Sequence, residues 1–584
     1  MGSFGRVAPL VVLALSVSAQ TRGRSVAVAA SPAQAAPARR GPVLVVIIVD
    51  QLAAWMADER WPALPPDGGF ARLRREGLYV RELRFSHAAT DTAPGHSALF
   101  TGAVPHESGI LANETFAAAG AAPTSFLADP TTHVIAAGAA GGEKSSSSLA
   151  QLRVATLADA LVAARPEARV VSLSLKDRAA LFGGGRHPTA SVWFDPELAA
   201  FVTSTAVATQ FPPWAARRAD RAAVEAAMAR PWQVGDPAWV AAHAETADDG
   251  AGESDYLGLG KTFPHVATSA KALRGTPAGD ALLFDLAEAS VTEMAPTLDG
   301  RSFLLALSLS SHDYVAHLFG PHSWEAWDEL ARLDEALARF LGRLDQLLGS
   351  DAYAVMLTGD HGSNALPELS RTAPSPWCRG AEKGGRADHW QRSCGPRQRL
   401  SQSELTTALE ARLDEVLGRE GGPWVVGISD PLLYLTPQAR ALPPARRQIL
   451  IRAVTEVLER RFGVSHVVDL RATPSRCPPL ADESWRALVC RSSRADAAGD
   501  LYLVVESGTF FDPRLAPGAG TSHGSPYLYD RAVPLLVRAP GRVRPGQVAA
   551  RPVAFTAFAR TAAALLEIPP PAAAASGEDL TRAR

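Results

Sequence analysis

Between His87 and Gly102 the chain reads HAATDTAPGHSALFTG. Thr90 and Thr92 flank Asp91, and an Ala-Pro-Gly bend then leads into a helix-capable run. A hydroxyl at a helix mouth can satisfy free backbone N–H groups as a cap. It can also act as a nucleophile beside the end of the helix that attracts anions. The stretch alone does not separate the two uses, so the rest of the chain must supply the partners.

Candidate partners come in short blocks. Asp50 closes VLVVIIVD, Asp313 and His317 lie four apart in SSHDYVAHLFGPH, Asp360 and His361 are adjacent in LTGDHGSN, and His523 stands in GTSHGSPY. Each has a plain reading, as a turn cap or a loop histidine. Together they offer carboxylate oxygen and imidazole nitrogen without cysteine, a donor set suited to zinc or a similar divalent ion. On a helical turn, Asp313 and His317 share one face. Six ligands suffice for two metals, and two metals about 4 Å apart form the clamp used for in-line displacement at phosphorus.

The elements that must hold these residues are short, continuous apolar runs: Val43–Val49, Val170–Leu175, Phe303–Leu309, Tyr353–Thr358, Leu501–Val505 and Val533–Val537. Runs without alternation read as strands buried on both faces. A helical pattern follows several of them, most clearly Leu330, Leu333, Leu337, Phe340, Leu341 and Leu344. The expectation is an α/β fold, a mostly parallel central sheet sandwiched by helices, with ligands beyond the carboxyl ends of the strands. Two segments interrupt the rhythm, about 190–290 and about 366–500, and are expected to be insertions in a catalytic domain spanning 41–570. Residues 571–584 are expected to form a flexible tail. Trp193, Trp214, Trp232 and Trp239 are expected in the core of the first insertion.

Composition narrows the classes. The 584 residues carry a formal net charge of −2 and no Lys/Arg run with interleaved aromatics, so nucleic acid is not an expected partner. Arg6 followed by the apolar stretch Val7–Ala19 reads as an export signal over 1–19, with a disordered leader over 20–40. The stretch is too short for a confident membrane span, so no stable membrane insertion is expected after its removal. The expected location is the periplasm or the outside of the cell, and the expected state a monomer. Cys378, Cys394, Cys477 and Cys490 suit two disulfides in an exported chain, in any of three pairings.

The blocks VIIVDQL, ATDTAPGHSALFTGAVPHESGILANE, SLKDRAALFGGGRHP, SHDYVAHLFGPHS, LTGDHGS and GTSHGSPYLYDRAVPLLV run in one order along most of the chain. In this the sequence resembles the alkaline phosphatase superfamily. It looks most like bacterial alkaline phosphatases with a threonine nucleophile, neighbours of the nucleotide pyrophosphatase/phosphodiesterases. The resemblance implies two Zn²⁺ ions and small-molecule phosphate esters as substrates. It implies that Thr92 rather than Thr90 is the nucleophile. Asp50, Asp360 and His361 would hold the zinc that also binds the Thr92 oxygen, and Asp313, His317 and His523 the other. Asn113 would donate to a phosphate oxygen, and Lys176 and Arg178 would reach the non-bridging oxygens. His87, His96, His106, His312 and His322, inside the same blocks, read as supporting groups rather than ligands.

A phosphate monoester presents one more charged oxygen than a diester, and cations aimed at that oxygen favour it. Arg can grip two oxygens at once and Lys acts as a point charge. The pair in SLKDR therefore points to a phosphatase that hydrolyses monoesters, and the resemblance implies that it does so through a covalent phosphothreonine and releases inorganic phosphate. The alternative is a phosphodiesterase or nucleotide pyrophosphatase of the same superfamily. The Thr-Ala-Pro-Gly block departs from the cysteine or serine block of sulfatases.

Overall fold

Strand β1, Val43–Val49, is a seven-residue apolar run buried along its whole length. Val43, Val45, Ile47 and Val49 enter one hydrophobic core, while Leu44, Val46 and Ile48 enter another. A strand whose alternate residues feed two cores lies in the middle of three layers, which is why its sequence does not alternate. Burial of each such side chain contributes about 1.5–3 kcal/mol.

The structure is a computed structural model that describes residues 41–116, 122–137, 142–369, 398–419, 421–461, 463–496, 499–512 and 519–582. The expected signal and leader, residues 1–40, lie outside them. Among the described residues no helix is long and apolar enough to cross a membrane. The central sheet has twelve strands. After β1 come β2 (Leu78–Arg84), β3 (Ala128–Ala136), β4 (Ser145–Ser147), β5 (Arg169–Ser174), β6 (Ala190–Asp195), β7 (Ala200–Ser204), β8 (Phe303–Leu309) and β9 (Ala354–Thr358). The sheet is completed by β10 (Ala532–Arg538), β11 (Gln547–Ala549) and the short pair Val553–Ala554 beside β2. The order is β11-β2-β10-β9-β1-β8-β5-β6-β7-β3-β4.

The five strands from β9 to β6 are mutually parallel. On one flank β10 pairs antiparallel with both β9 and β2, and on the other β7 and β3 also run antiparallel. The sheet is thus mixed, and parallel chiefly through its centre. Helices α1 (Thr92–Thr101), α2 (Asp177–Gly184) and α8 (Thr556–Leu565) contribute to the core on the Leu44 side. Helices α3 (Pro277–Met294), α4 (Ser311–Phe319) and α5 (Trp324–Leu348) cover the Val43 side. Helix α5 buries the six apolar residues of the sequence pattern.

Three expectations about boundaries change. The first insertion is narrower than 190–290, because β6 and β7 are sheet strands and α3 is a core helix. Trp193 and Trp232 are accordingly buried in the main cores rather than in a separate small one. The second insertion runs past residue 500. Leu501–Val505 belongs to a separate four-stranded sheet packed against α6 (Gln402–Leu417) and α7 (Pro444–Arg461). An apolar run specifies burial, not the sheet it joins. The expected flexible tail is packed as far as it is described: Leu580 is buried and its N–H donates to Thr561 Oγ1 at 3.1 Å.

The far face of the small sheet carries Tyr434, Tyr502 and Val504 against Ala88 and Ala112, at either end of the segment around Thr92. Cys477 and Cys490 form a disulfide, one of the sequence-local pairs. Cys378 and Cys394 lie outside the described residues.

Candidate active site

Strands β9, β1, β8 and β5 are neighbours in the sheet and point the same way. Whatever follows their carboxyl ends must converge. Asp50 follows β1, Asp313 and His317 lie on α4 after β8, Asp360 and His361 follow β9, and Lys176 and Arg178 follow β5 at the start of α2. His523 arrives from the segment that leads into β10.

Thr92 is the first residue of α1. The N-cap is Asp91, in extended conformation, and no side chain caps the helix. Neither threonine therefore serves as the cap that the sequence allowed. Thr90 Oγ1 donates to the Ser525 carbonyl at 3.0 Å, which commits its hydroxyl. Thr92 Oγ1 instead accepts from Lys176 Nζ at 3.2 Å. The Pro-Gly bend also gains a reason. A Cβ on Gly95 would stand 2.2 Å from the Asp360 carbonyl oxygen, so glycine lets α1 approach the Asp360 loop closely.

The six candidate ligands fall into two groups, Asp50–Asp360–His361 and Asp313–His317–His523, with the ligand atoms of each within 4.8 Å of one another. The division matches the one the resemblance implies. Asp50 Oδ1 and His361 Nε2 face each other at 3.3 Å, buried and with no hydrogen bond to other groups among the described residues. The imidazoles share one arrangement. Nδ1 of His317 contacts the Thr521 carbonyl at 2.8 Å, that of His523 the Thr90 carbonyl at 2.8 Å, and that of His361 the Gly362 carbonyl at 3.0 Å. A ring whose Nδ1–H is held by a carbonyl presents Nε2 as a free donor to a metal. The donor set and the ring orientation thus fit a pair of divalent ions of the zinc type.

Lys176 Nζ lies between the groups, 2.7 Å from Asp50 Oδ2 and 2.7 Å from Asp313 Oδ2. Burial disfavours its charge, but Asp313 and Asp50 outweigh burial and raise its pKa. Burial likewise opposes ionisation of Asp313, yet Lys176 and His317 hold it well below the usual carboxylate range. Burial would lower His361, but the Asp360 and Asp50 carboxylates push it up to about 10. His523 is lowered, by burial and then by the His361 charge.

Asn113 is oriented by one contact. Its Oδ1 accepts from the Ala93 N–H at 2.8 Å, so the amide NH₂ is directed away from the helix. Thr92, Asn113, Lys176, Arg178, Asp313, His317 and His523 line one cleft of about 200 Å³. Arg178 comes no closer than 3.7 Å to its neighbour Asp177. Lys176 is buried, so its ion pairs are interior ones. A larger groove of about 720 Å³ beside Trp239 and Arg332 contains none of these residues.

The five other histidines of the sequence blocks belong to neither ligand group. His96 Nδ1 is 3.0 Å from Asp360 Oδ2, and its Nε2 meets Ser308 Oγ at 2.9 Å. His312 pairs with Glu329, His322 stacks on Trp55, and His106 contacts the Ser493 carbonyl. His87 is buried and pushed down to about 3 by burial and by Arg531. Three residues escaped the sequence reading: Gln51 beside the ligands, and Tyr256 and Tyr314 in the cleft wall. Gln51 follows Asp50 directly, which was a usable signal. Tyr256 comes from the irregular insertion, where no pattern marks it.

Comparison with known proteins gives the same direction. Residues 44–525 match the family described as type I phosphodiesterase / nucleotide pyrophosphatase. The chain is 27% identical over 541 residues to alkaline phosphatase PhoV of Synechococcus elongatus, covering 91% of each. It is 30% identical over 508 residues to alkaline phosphatase PhoK of a Sphingomonas species, covering 85% of this chain and 83% of that one. The solved structure of wild-type alkaline phosphatase PafA superposes with a TM-score of 0.76 at 25% identity, covering 93% of this chain and 98% of that one.

Proposed function

The chain belongs to the type I phosphodiesterase / nucleotide pyrophosphatase family, within the alkaline phosphatase superfamily, and we propose that it is an exported phosphomonoesterase working through Thr92. The observation that carries this reading is the position of the Thr92 hydroxyl beside two separate metal-ligand groups, with Lys176 at 3.2 Å. Its alkaline phosphatase relatives support phosphoric monoester hydrolysis as the reaction.

Asp50, Asp360 and His361 would hold one zinc and Asp313, His317 and His523 the other, supplying positive charge that favours the Thr92 alkoxide and the departing oxygen. The cleft takes the phosphoryl group against the start of α1, where uncapped backbone N–H groups favour an anion. The Asn113 amide donates to one non-bridging oxygen, and Lys176 and Arg178 supply charge to the others. Thr92 releases its hydroxyl proton to solvent, its Oγ1 attacks phosphorus in line, the ester P–O bond breaks, and the departing oxygen takes a proton from water to leave as the alcohol. Water, giving up a proton, then attacks the phosphothreonine from the opposite side, the Thr92–phosphorus bond breaks, Thr92 Oγ1 takes up a proton, and inorganic phosphate departs.

The phosphodiesterase description of the matched family keeps a second reading open. Turnover of p-nitrophenyl phosphate against bis-p-nitrophenyl phosphate by the zinc-loaded enzyme separates the two. Preference for the monoester, abolished when Lys176 and Arg178 are both changed to Ala, supports the proposal. Preference for the diester, insensitive to those changes, transfers the chain to the second reading. Export is tested by the N-terminus of the secreted protein, with cleavage expected after Ala19.

A further inference from the structure

Gln51 is fully buried and has φ of +67°, in the left-handed region that non-glycine residues seldom occupy. It stands between the two ligand groups and touches both. Its backbone N–H donates to Asp360 Oδ1 at 3.1 Å. Its side-chain Nε2 donates to Asp313 Oδ1 at 3.0 Å. Its Oε1 accepts from Ser363 Oγ at 2.9 Å, which fixes the sense of the amide and aims the NH₂ end at Asp313. Ser363 belongs to the loop that carries Asp360 and His361. One side chain therefore ties the loop of the first group to a ligand of the second.

Glycine would adopt this backbone without strain but would bring no amide. Strained positions persist where the surroundings over-determine them, and they cluster at functional sites. Asp313 Oδ1 is also the oxygen that faces His317 Nε2 at 3.2 Å and His523 Nε2 at 3.7 Å. A donor on that oxygen fixes the carboxylate plane in which the three ligands must meet.

We propose that Gln51 is a positioning residue for the metal pair. Its side-chain amide sets the affinity of the Asp313–His317–His523 group, while its main-chain N–H orients Asp360 in the other group. The inference rests on the two-metal reading above. It makes an asymmetric prediction, because side-chain substitution removes the bond to Asp313 and leaves the backbone bond to Asp360.

The test is zinc affinity, measured by chelator competition in two single-group backgrounds. His361→Ala leaves the Asp313 group, and His523→Ala leaves the Asp360 group. Adding Gln51→Leu is expected to weaken zinc binding about 10–100-fold in the first background and by less than about threefold in the second. Gln51→Glu keeps the shape and faces Asp313 with an acceptor instead of a donor, so it gives the same asymmetric loss. It also carries the test if the Leu variant does not fold, as judged by circular dichroism and the zinc-free melting temperature. Equal losses in both backgrounds, or none, would overturn the proposal and leave Gln51 a general packing residue. A wild-type chain that binds fewer than two zinc ions overturns the two-metal reading and this inference with it. Two ions bound by wild type, without the asymmetry, defeat this inference alone.

Discussion

Two sets of buried carboxylates in this chain are shifted in opposite directions by their surroundings. Asp313 and Asp360, in the candidate active site, are held below the usual carboxylate range. Glu253, in the irregular insertion, is pushed up to about 9, and Asp280, at the start of α3, well above its ordinary value. In all four, burial acts first and favours the neutral acid. Lys176 and His317 overcome it at Asp313, and His361 and His96 at Asp360. At Glu253 the acids Glu325, Asp249 and Asp248 add to it. Backbone N–H groups of Ser311 and Ser310 only partly offset burial and Glu329 at Asp280. Burial does not decide whether a carboxylate can ligate a metal; the cations and rings around it do. Surrounding cations thus favour the charged form of the first, ionised set, while burial and neighbouring acids favour the protonated form of the second, neutral set.

The contrast breaks most directly at Thr92. If the ionised set exists to serve that hydroxyl, Thr92→Ala lowers monoester kcat/KM by on the order of 10⁴-fold or more, with both zinc ions retained on metal analysis. Residual activity within tenfold of wild type would move the nucleophile elsewhere. Chelation comes next. Dialysis against a strong chelator is expected to abolish turnover, and readdition of zinc to restore it. Activity that survives complete metal loss would leave the ionised set without a catalytic role. Lys176→Ala removes the cation between Asp50 and Asp313 and is expected to cost about 10²–10³-fold in kcat/KM. Arg178→Ala costs less, because Arg178 touches neither ligand group. The reverse ranking would show that the ligand carboxylates do not depend on the ammonium.

The smallest effect is expected in the neutral set and concerns stability alone. Glu253 has a folded-state pKa of about 9 against an ordinary value of 4.5. Between those values the folded chain holds a proton that the unfolded chain releases. Its contribution is full below about pH 4.5 and declines as pH rises toward 9. Glu253→Gln keeps the shape without the titration. Melting temperatures of the metal-free protein from pH 5 to 9 should fall more steeply for wild type than for the variant, at unchanged catalytic activity. Parallel curves would mean that Glu253 is ionised in the fold, and the contrast between the two sets would close.

Much of the candidate site was legible because most of the candidate ligands sit just beyond strands. Asp50, Asp360 and His361 could be found by following VLVVIIV and AVMLT to their ends, and Asp313 and His317 by their helical spacing. Parallel neighbours bring such ends together whatever the rest of the chain does. The Thr90/Thr92 ambiguity was not legible from spacing, because both hydroxyls stand at the helix mouth. It turns on which of them is already bonded, Thr90 to a carbonyl some 435 residues away in sequence. The small sheet was misjudged for a related reason: Leu501–Val505 has the composition of a central strand and a different partner.

The sequence by itself determined which residue types stand at which strand ends, and with them the candidate ligands and the candidate cations. Those follow from local order along the chain. Only the tertiary structure decided the directions in which Asp313, Asp360, Glu253 and Asp280 are shifted, the orientation of the Asn113 amide, and the bridge from Ser363 through Gln51 to Asp313. Each of these depends on groups hundreds of residues apart meeting at hydrogen-bond distance, and local sequence pattern carries no record of that meeting.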